Sequence, residues 1–118
     1  DLSFWFSELT YLPDDFGKLK SLKKLNIRNN ELITLPESIG ELSNLNVLLL
    51  SQNQITSIPE SIGNMEMLVE LELYLNKLTR IPESISNLDE LISLKLGGNQ
   101  LTQLPEKQAG DYRNAYLE

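Results

Sequence analysis

Apolar residues return along this chain in a fixed order. Counting from Leu12, Leu35, Ile58 and Ile81, the residues four, seven, ten, thirteen, fifteen and twenty places on are apolar in every row. That makes 28 positions, and none carries a charge. The first row reads Leu12, Phe16, Leu19, Leu22, Leu25, Ile27, Leu32; the third reads Ile58, Ile62, Met65, Leu68, Leu71, Leu73, Leu78. All five prolines keep the same beat: Pro13, Pro36, Pro59, Pro82 and Pro105 lie 23 residues apart. A fixed period of about 20–50 residues is the mark of a stacked array rather than of a folded-in globule.

Inside each row the period changes. Leu48-x-Leu50, Leu71-x-Leu73 and Leu94-x-Leu96 alternate with period two, which predicts a short strand with one buried face. The stretch Pro59-Glu60-Ser61-Ile62-Gly63-Asn64-Met65 has apolar residues three or four apart and predicts one or two helical turns. Proline suits the start of such a turn, where its missing N–H had no partner to lose. Gly17, Gly40 and Gly63, with Ser86 in the fourth row, are expected to serve a backbone bend. One 23-residue strand-and-turn unit cannot bury its apolar edge alone, but stacked neighbours can. The predicted class is therefore α/β: a parallel sheet on one side of a solenoid and short helical segments on the other. Asn30, Asn53, Asn76 and Asn99 fall just after each strand. An inward-turned amide there would satisfy backbone groups that a sharp corner leaves unpaired, which cost ~1–3 kcal/mol each if buried alone. They are expected to be buried scaffold.

Composition removes whole classes of chemistry. Leucine supplies 25 of 118 residues, while cysteine and histidine are both absent. That excludes a disulfide framework, a Cys/His zinc site, a cysteine nucleophile and a histidine base. A net charge of −7 argues against a nucleic-acid surface. No stretch approaches the ~18 apolar residues of a membrane span, and the opening Asp1-Leu2-Ser3-Phe4-Trp5-Phe6 does not read as a signal peptide. A cytoplasmic setting is favoured on those grounds.

The row Leu68-Val69-Glu70-Leu71-Glu72-Leu73-Tyr74-Leu75-Asn76-Lys77-Leu78 resembles the leucine-rich repeat motif Leu-x-x-Leu-x-Leu-x-x-Asn-x-Leu, and it recurs from Leu22, Leu45 and Leu91. The 23-residue unit with Leu35-Pro36-Glu37-Ser38-Ile39-Gly40 looks like the intracellular kind found in Ras-pathway and cell-polarity scaffolds, and like bacterial members. The resemblance covers residues 12 to about 106. It implies a leucine-rich repeat solenoid with a curved parallel sheet on its concave side and short helical or 3-10 turns on its convex side. It also implies that the chain binds other proteins.

The chain divides into a partial repeat over 1–11, four full repeats over 12–103, and a partial repeat with a cap or tail over 104–118. At the front, Leu2 and Phe4 align with the strand leucines; an alternative register sets Leu2 two places later, with an insertion. At the back, Gln108, Asp111 and Asn114 stand where apolar residues belong, and Ala109, Tyr112, Ala115 and Tyr116 share one side. An uncapped front reads as a fragment of a longer protein, or as an edge open to weak self-association.

In such a solenoid the outward strand positions line the concave face. One column reads Trp5, Arg28, Ser51, Tyr74, Gly97, and the next Ser3, Asn26, Leu49, Glu72, Lys95. A third reads Asp1, Lys24, Val47, Glu70, Ser93, followed by the corner positions Phe6, Asn29, Gln52, Leu75, Gly98. Val47, Leu49, Tyr74 and Leu75 are apolar or aromatic where folding does not ask for it, and Arg28, Glu70, Glu72 and Lys95 surround them. That mixture is the composition of a binding hot spot. The expected protein-binding residues are these eight and Trp5. Lys18, Lys20, Lys23, Lys24 and Arg28 gather half the cations in eleven residues, which reads as a solvated first repeat.

Catalysis is not expected. Glu70 and Glu72 leave one face ~7 Å apart, but an open sheet cannot desolvate them. Two carboxylates fall short of the ~6–8 oxygens of a calcium site, and Gly97-Gly98-Asn99 lacks the lysine of a phosphate loop. No cofactor is expected. The leading function is a non-enzymatic protein-binding module using the concave face, with another protein as partner and neither nucleic acid nor membrane. The alternative is a structural segment of a longer array in a multidomain protein.

Overall fold

The computed structural model describes residues 1–3, 8–102 and 114–116, the last three and Ser3 as backbone only. Five short strands alternate with four 3-10 turns before a last strand: β1 Leu2–Ser3, β2 Lys24–Asn26, β3 Val47–Leu49, β4 Glu70–Glu72, β5 Ser93–Lys95 and β6 Asn114–Tyr116. They form one sheet in chain order, with every neighbouring pair parallel. Leu2, Leu25, Leu48, Leu71 and Leu94 stand in one row across it, so the register advances by one repeat at each step. Pairing of Leu2 with Leu25 excludes the alternative register at the front. The last step differs. Ala115 pairs with Leu94, 21 residues on, so the tail supplies a strand that its polar sequence did not predict.

The opposite side carries the turns Asp14–Lys18, Glu37–Glu41, Glu60–Asn64 and Glu83–Asn87. Each follows a proline in extended conformation, φ between −63° and −70°, whose carbonyl accepts the first i+3 bond. Proline there presets the entry angle and loses no donor. The glycines do something other than bend the chain, since none of Gly17, Gly40 or Gly63 has a positive φ. A Cβ on Gly17 or Gly40 would come within 2.3 Å of the carbonyl oxygen of Ser38 or Ser61, and one on Gly63 within 2.6 Å of that of Ser84. They let successive turns touch. Ser61 and Ser84 then donate their hydroxyls to the carbonyls of Glu37 and Glu60, both at 2.6 Å.

Between the two sides lies one continuous core built from the repeating apolar positions. Leu25, Leu48 and Leu71 are fully buried, as are Ile39 and Ile62 on the turn side. Leu19 departs from its row and is 43% exposed, whereas Leu42, Met65 and Leu88 at the same place are enclosed. Among the described residues its turn has a stacked neighbour on one side alone.

The asparagines close each strand as expected, with Asn30, Asn53 and Asn76 buried and Asn99 half-buried. Asn53 Nδ2 donates to the carbonyls of Ile27 (2.9 Å) and Leu50 (3.0 Å), while its Oδ1 accepts from the Leu32 N–H (3.0 Å). Asn76 repeats this with Leu50, Leu73 and Ile55, and Asn99 with Leu73, Leu96 and Leu78. Asn30 accepts from the Leu9 N–H and donates to Ile27 and Arg28. Each amide stitches its own row to the one before it. That gives these carbonyls and N–H groups bonding partners where the chain leaves the sheet.

Candidate protein-binding face

The residue just before each asparagine sits in the left-handed region: Asn29, Gln52 and Leu75 at φ 59°, and Gly98 at 68°. Such a φ carries the backbone round the corner and turns the following asparagine inward. Its N–H still bonds the next row, Asn29 to Ser51 at 3.1 Å, Gln52 to Tyr74 at 3.0 Å and Leu75 to Gly97 at 2.8 Å. Asparagine and glycine tolerate this conformation; glutamine and leucine each bear a cost of roughly 1–2 kcal/mol. Leu75 nevertheless stands there with 47% of its surface exposed. It lies over Gly98, where an added Cβ would come within 2.6 Å of Leu75 Cδ2. A leucine at 75 and a glycine at 98 are therefore fitted to each other.

The middle of the concave face is closed by an ion pair. Arg28 crosses two rows to reach Glu72 with two bonds, Nε to Oε2 at 2.5 Å and Nη2 to Oε1 at 2.7 Å. Ser51 donates its hydroxyl to Glu72 Oε2 at 2.9 Å from the row between. The bridge runs diagonally across that row, between Leu49 and Ser51, which are 4% and 0% exposed. Glu72 itself is 1% exposed, and Arg28 keeps 29% of its side chain in solvent. Burial pushes the Glu72 carboxyl up, but the bonds from Arg28 and Ser51, with the charges of Arg28 and Lys95, outweigh it and hold the group below the usual carboxylate range. The Glu72 bond raises the Arg28 guanidinium in turn.

The expected site residues therefore divide. Tyr74 and Val47 are half-buried and Leu75 is exposed, so these three offer accessible apolar surface. Leu49 and Glu72 sit on the same face but are enclosed, forming its floor with Arg28 above them. Lys95 and Glu70 pair loosely at 4.0 Å, at the edge of ion-pair range. Trp5 lies outside the described residues. Two participants were not singled out from the sequence, Ser51 and Gly98. The only signal for Ser51 was a hydroxyl in the column between an arginine and a glutamate. For Gly98 it was a glycine at the one corner that follows a leucine corner.

This architecture is shared with known proteins. A model of the leucine-rich repeat region matches residues 2–97, and the chain belongs to the leucine-rich repeat family. Among solved structures it is similar to a leucine-rich repeat protein of Leptospira interrogans, with 34% identity and a TM-score of 0.77 over 94% of this chain and 30% of that one. It is also similar to the leucine-rich repeat ectodomain of the receptor kinase SOBIR1 from Arabidopsis thaliana, with 28% identity and a TM-score of 0.78 over 94% and 62% respectively. The chain thus spans less than two thirds of either. Among the curated proteins nothing matches. The family is a non-catalytic scaffold class that engages other proteins. Among the described residues no group of three or more acidic, cysteine or histidine side chains is placed to hold a metal, and no helix is long and apolar enough to cross a membrane.

Proposed function

We propose that the chain is a protein-binding module whose contact surface is the concave face, centred on the corner side of the sheet. Leu75 carries this reading: an exposed leucine held in a left-handed backbone, over a glycine that clears space for it. The corner does not require a leucine, since Asn29, Gln52 and Gly98 hold equivalent positions. Tyr74 and Val47 extend the apolar surface along β4 and β3. Lys95 and Glu70 offer polar contacts at the rim, Arg28 presents the free edge of its guanidinium, and Leu49 and Glu72 set the shape beneath. Trp5 belongs to the same column and is kept in the proposal.

The test compares retention of lysate proteins by the wild-type chain and by a Tyr74→Ala, Leu75→Asn variant whose Tm is not lowered. Loss of the same protein from the variant, but not from a Glu60→Ala variant on the turn side, supports the reading. Equal retention by all three sinks it. The second reading, a structural segment of a longer array, is favoured by the 30% and 62% shares of the similar chains. The Pro-Glu-Ser-Ile units and 34% identity to a bacterial protein support assignment to the intracellular or bacterial kind of 23-residue repeat; a cytoplasmic setting is proposed from the sequence alone. Weak self-association along the β1 edge is a further proposal, which a monomeric light-scattering mass at every concentration would end.

A further inference from the structure

Past the corner, each row lays down two more stacked columns on the flank of the solenoid. Glu31, Gln54 and Lys77 form one; Thr10, Ile33 and Thr56 form the other. Leu32, Ile55 and Leu78 between them point inward and are fully buried. Backbone bonds keep the columns in step. The N–H groups of Glu31, Gln54 and Lys77 donate to the carbonyls of Leu9, Leu32 and Ile55 at 2.8, 2.8 and 2.9 Å. Those of Ile33 and Thr56 donate to Thr10 and Ile33 at 3.4 and 3.1 Å. The columns are the walls of a groove of about 490 Å³, away from the concave face.

An unpaired charge stands at either end of the first column. Glu31 begins that column and Lys77 ends it, and neither side chain has an ion-pair or hydrogen-bond partner among the described residues. Two row spacings part them, roughly 10 Å. The row between them offers the Gln54 amide and the Thr56 hydroxyl; Ile33, 54% exposed, shares the row of Glu31, and Thr10 lies one row beyond it.

That arrangement selects a ligand class. A phosphate or nucleic acid would meet Glu31, and a metal ion would find one carboxylate where calcium takes ~6–8 oxygens. A polyproline-II segment advances ~3.1 Å per residue and returns to the same side every three residues. Side chains three apart therefore face one way and lie ~9 Å from each other. Its backbone makes no internal hydrogen bonds, leaving carbonyls free for the Gln54 amide and the Thr56 hydroxyl. We propose that this flank groove binds an extended, polyproline-II-like segment of a partner protein, with a basic side chain over Glu31 and an acidic one three residues away over Lys77. The site is independent of the concave face.

The probes are two capped peptides of one composition: acetyl-Lys-Pro-Pro-Glu-amide, and acetyl-Pro-Lys-Glu-Pro-amide with the charges adjacent. Each is titrated into the ¹⁵N-labelled chain. The first is expected to shift the amide signals of Ile33, Gln54 and Thr56 saturably, and the second roughly two- to fivefold more weakly, the scale of one exposed charge pair. Glu31→Lys and Lys77→Glu each weaken the first peptide by a similar factor. The double exchange restores it, because the peptide then lies the other way round. These residues are exposed, and an unchanged spectrum elsewhere shows that the variants fold. No saturable shift, equal affinity for both peptides, single variants that bind like wild type, or shifts confined to Tyr74 and Leu75 would each overturn the proposal.

Discussion

Two neighbouring columns run the length of this solenoid, and they obey opposite rules. Asn30, Asn53, Asn76 and Asn99 are the same residue four times; Asn29, Gln52, Leu75 and Gly98, one place earlier, are four different ones. Both columns serve the same corner, and both are under backbone constraint. The asparagines repeat because their side chains are the hydrogen bonds of the corner. The left-handed residues vary because only their φ matters to the fold, and their side chains are free for another purpose. Where that freedom is used against conformational preference, as at Leu75, the proposed binding role supplies a reason.

The largest contrast is expected between adjacent residues of one row. Asn53→Leu strands the Leu32 N–H and leaves the Ile27 and Leu50 carbonyls with one amide each, from Asn30 and Asn76, and should cost about 2–3 kcal/mol. Gln52→Leu should cost about 0.5 kcal/mol or less, since glutamine already bears the left-handed φ. Urea unfolding of the two variants measures the gap directly. Costs of similar size would dissolve the distinction between the columns.

Arg28→Ala comes next, because it leaves the Glu72 carboxylate enclosed without its cation, a loss of about 3 kcal/mol. Glu72→Gln should cost less, since Arg28 can turn to solvent. The pair also fixes a pH dependence. The Glu72 carboxyl is held below its unfolded value, so its contribution is full above that value, in the ordinary glutamate range. It is lost as pH falls through the lower, folded value. Without Arg28 only the Ser51 bond and the Lys95 charge oppose burial, so the carboxyl should move up from its wild-type position and the loss of stability on the acid side should shrink. Thermal melts of both chains between acid and neutral pH read the difference.

A smaller effect belongs to the corner pair. Gly98→Ala should cost about 1–2 kcal/mol, from the left-handed backbone and from the crowding of Leu75 Cδ2. In a Leu75→Asn background the crowding is gone and the cost should shrink. A double-mutant cycle with no coupling would show that the two positions are not fitted to each other.

Much of this was legible beforehand because it recurs. A leucine such as Leu71 or an asparagine such as Asn53 is demanded by every row at once, so period alone places it in the core or at the corner. The glycines were read for the right place and the wrong reason. A bend and a close approach both call for a missing Cβ, and only the distance from Gly40 to the Ser61 carbonyl tells them apart. The concave face was visible as columns, but not its internal bonding. Arg28 reaches Glu72 along a diagonal two rows long, and no period predicts a diagonal. That bridge is why Leu49, apolar on an outward strand position, is enclosed instead of offered. The tail strand Asn114–Tyr116 lay off the 23-residue beat and carries no leucine to mark it.

Leu75→Asn tests the central claim most directly, with stability and partner retention measured on the same protein. Relief of the left-handed leucine should stabilise the chain by about 0.5–1 kcal/mol and raise its Tm, while the protein retained by wild type is lost. A variant that is less stable, or one that keeps its partner, would contradict the view that this corner gives up stability for binding.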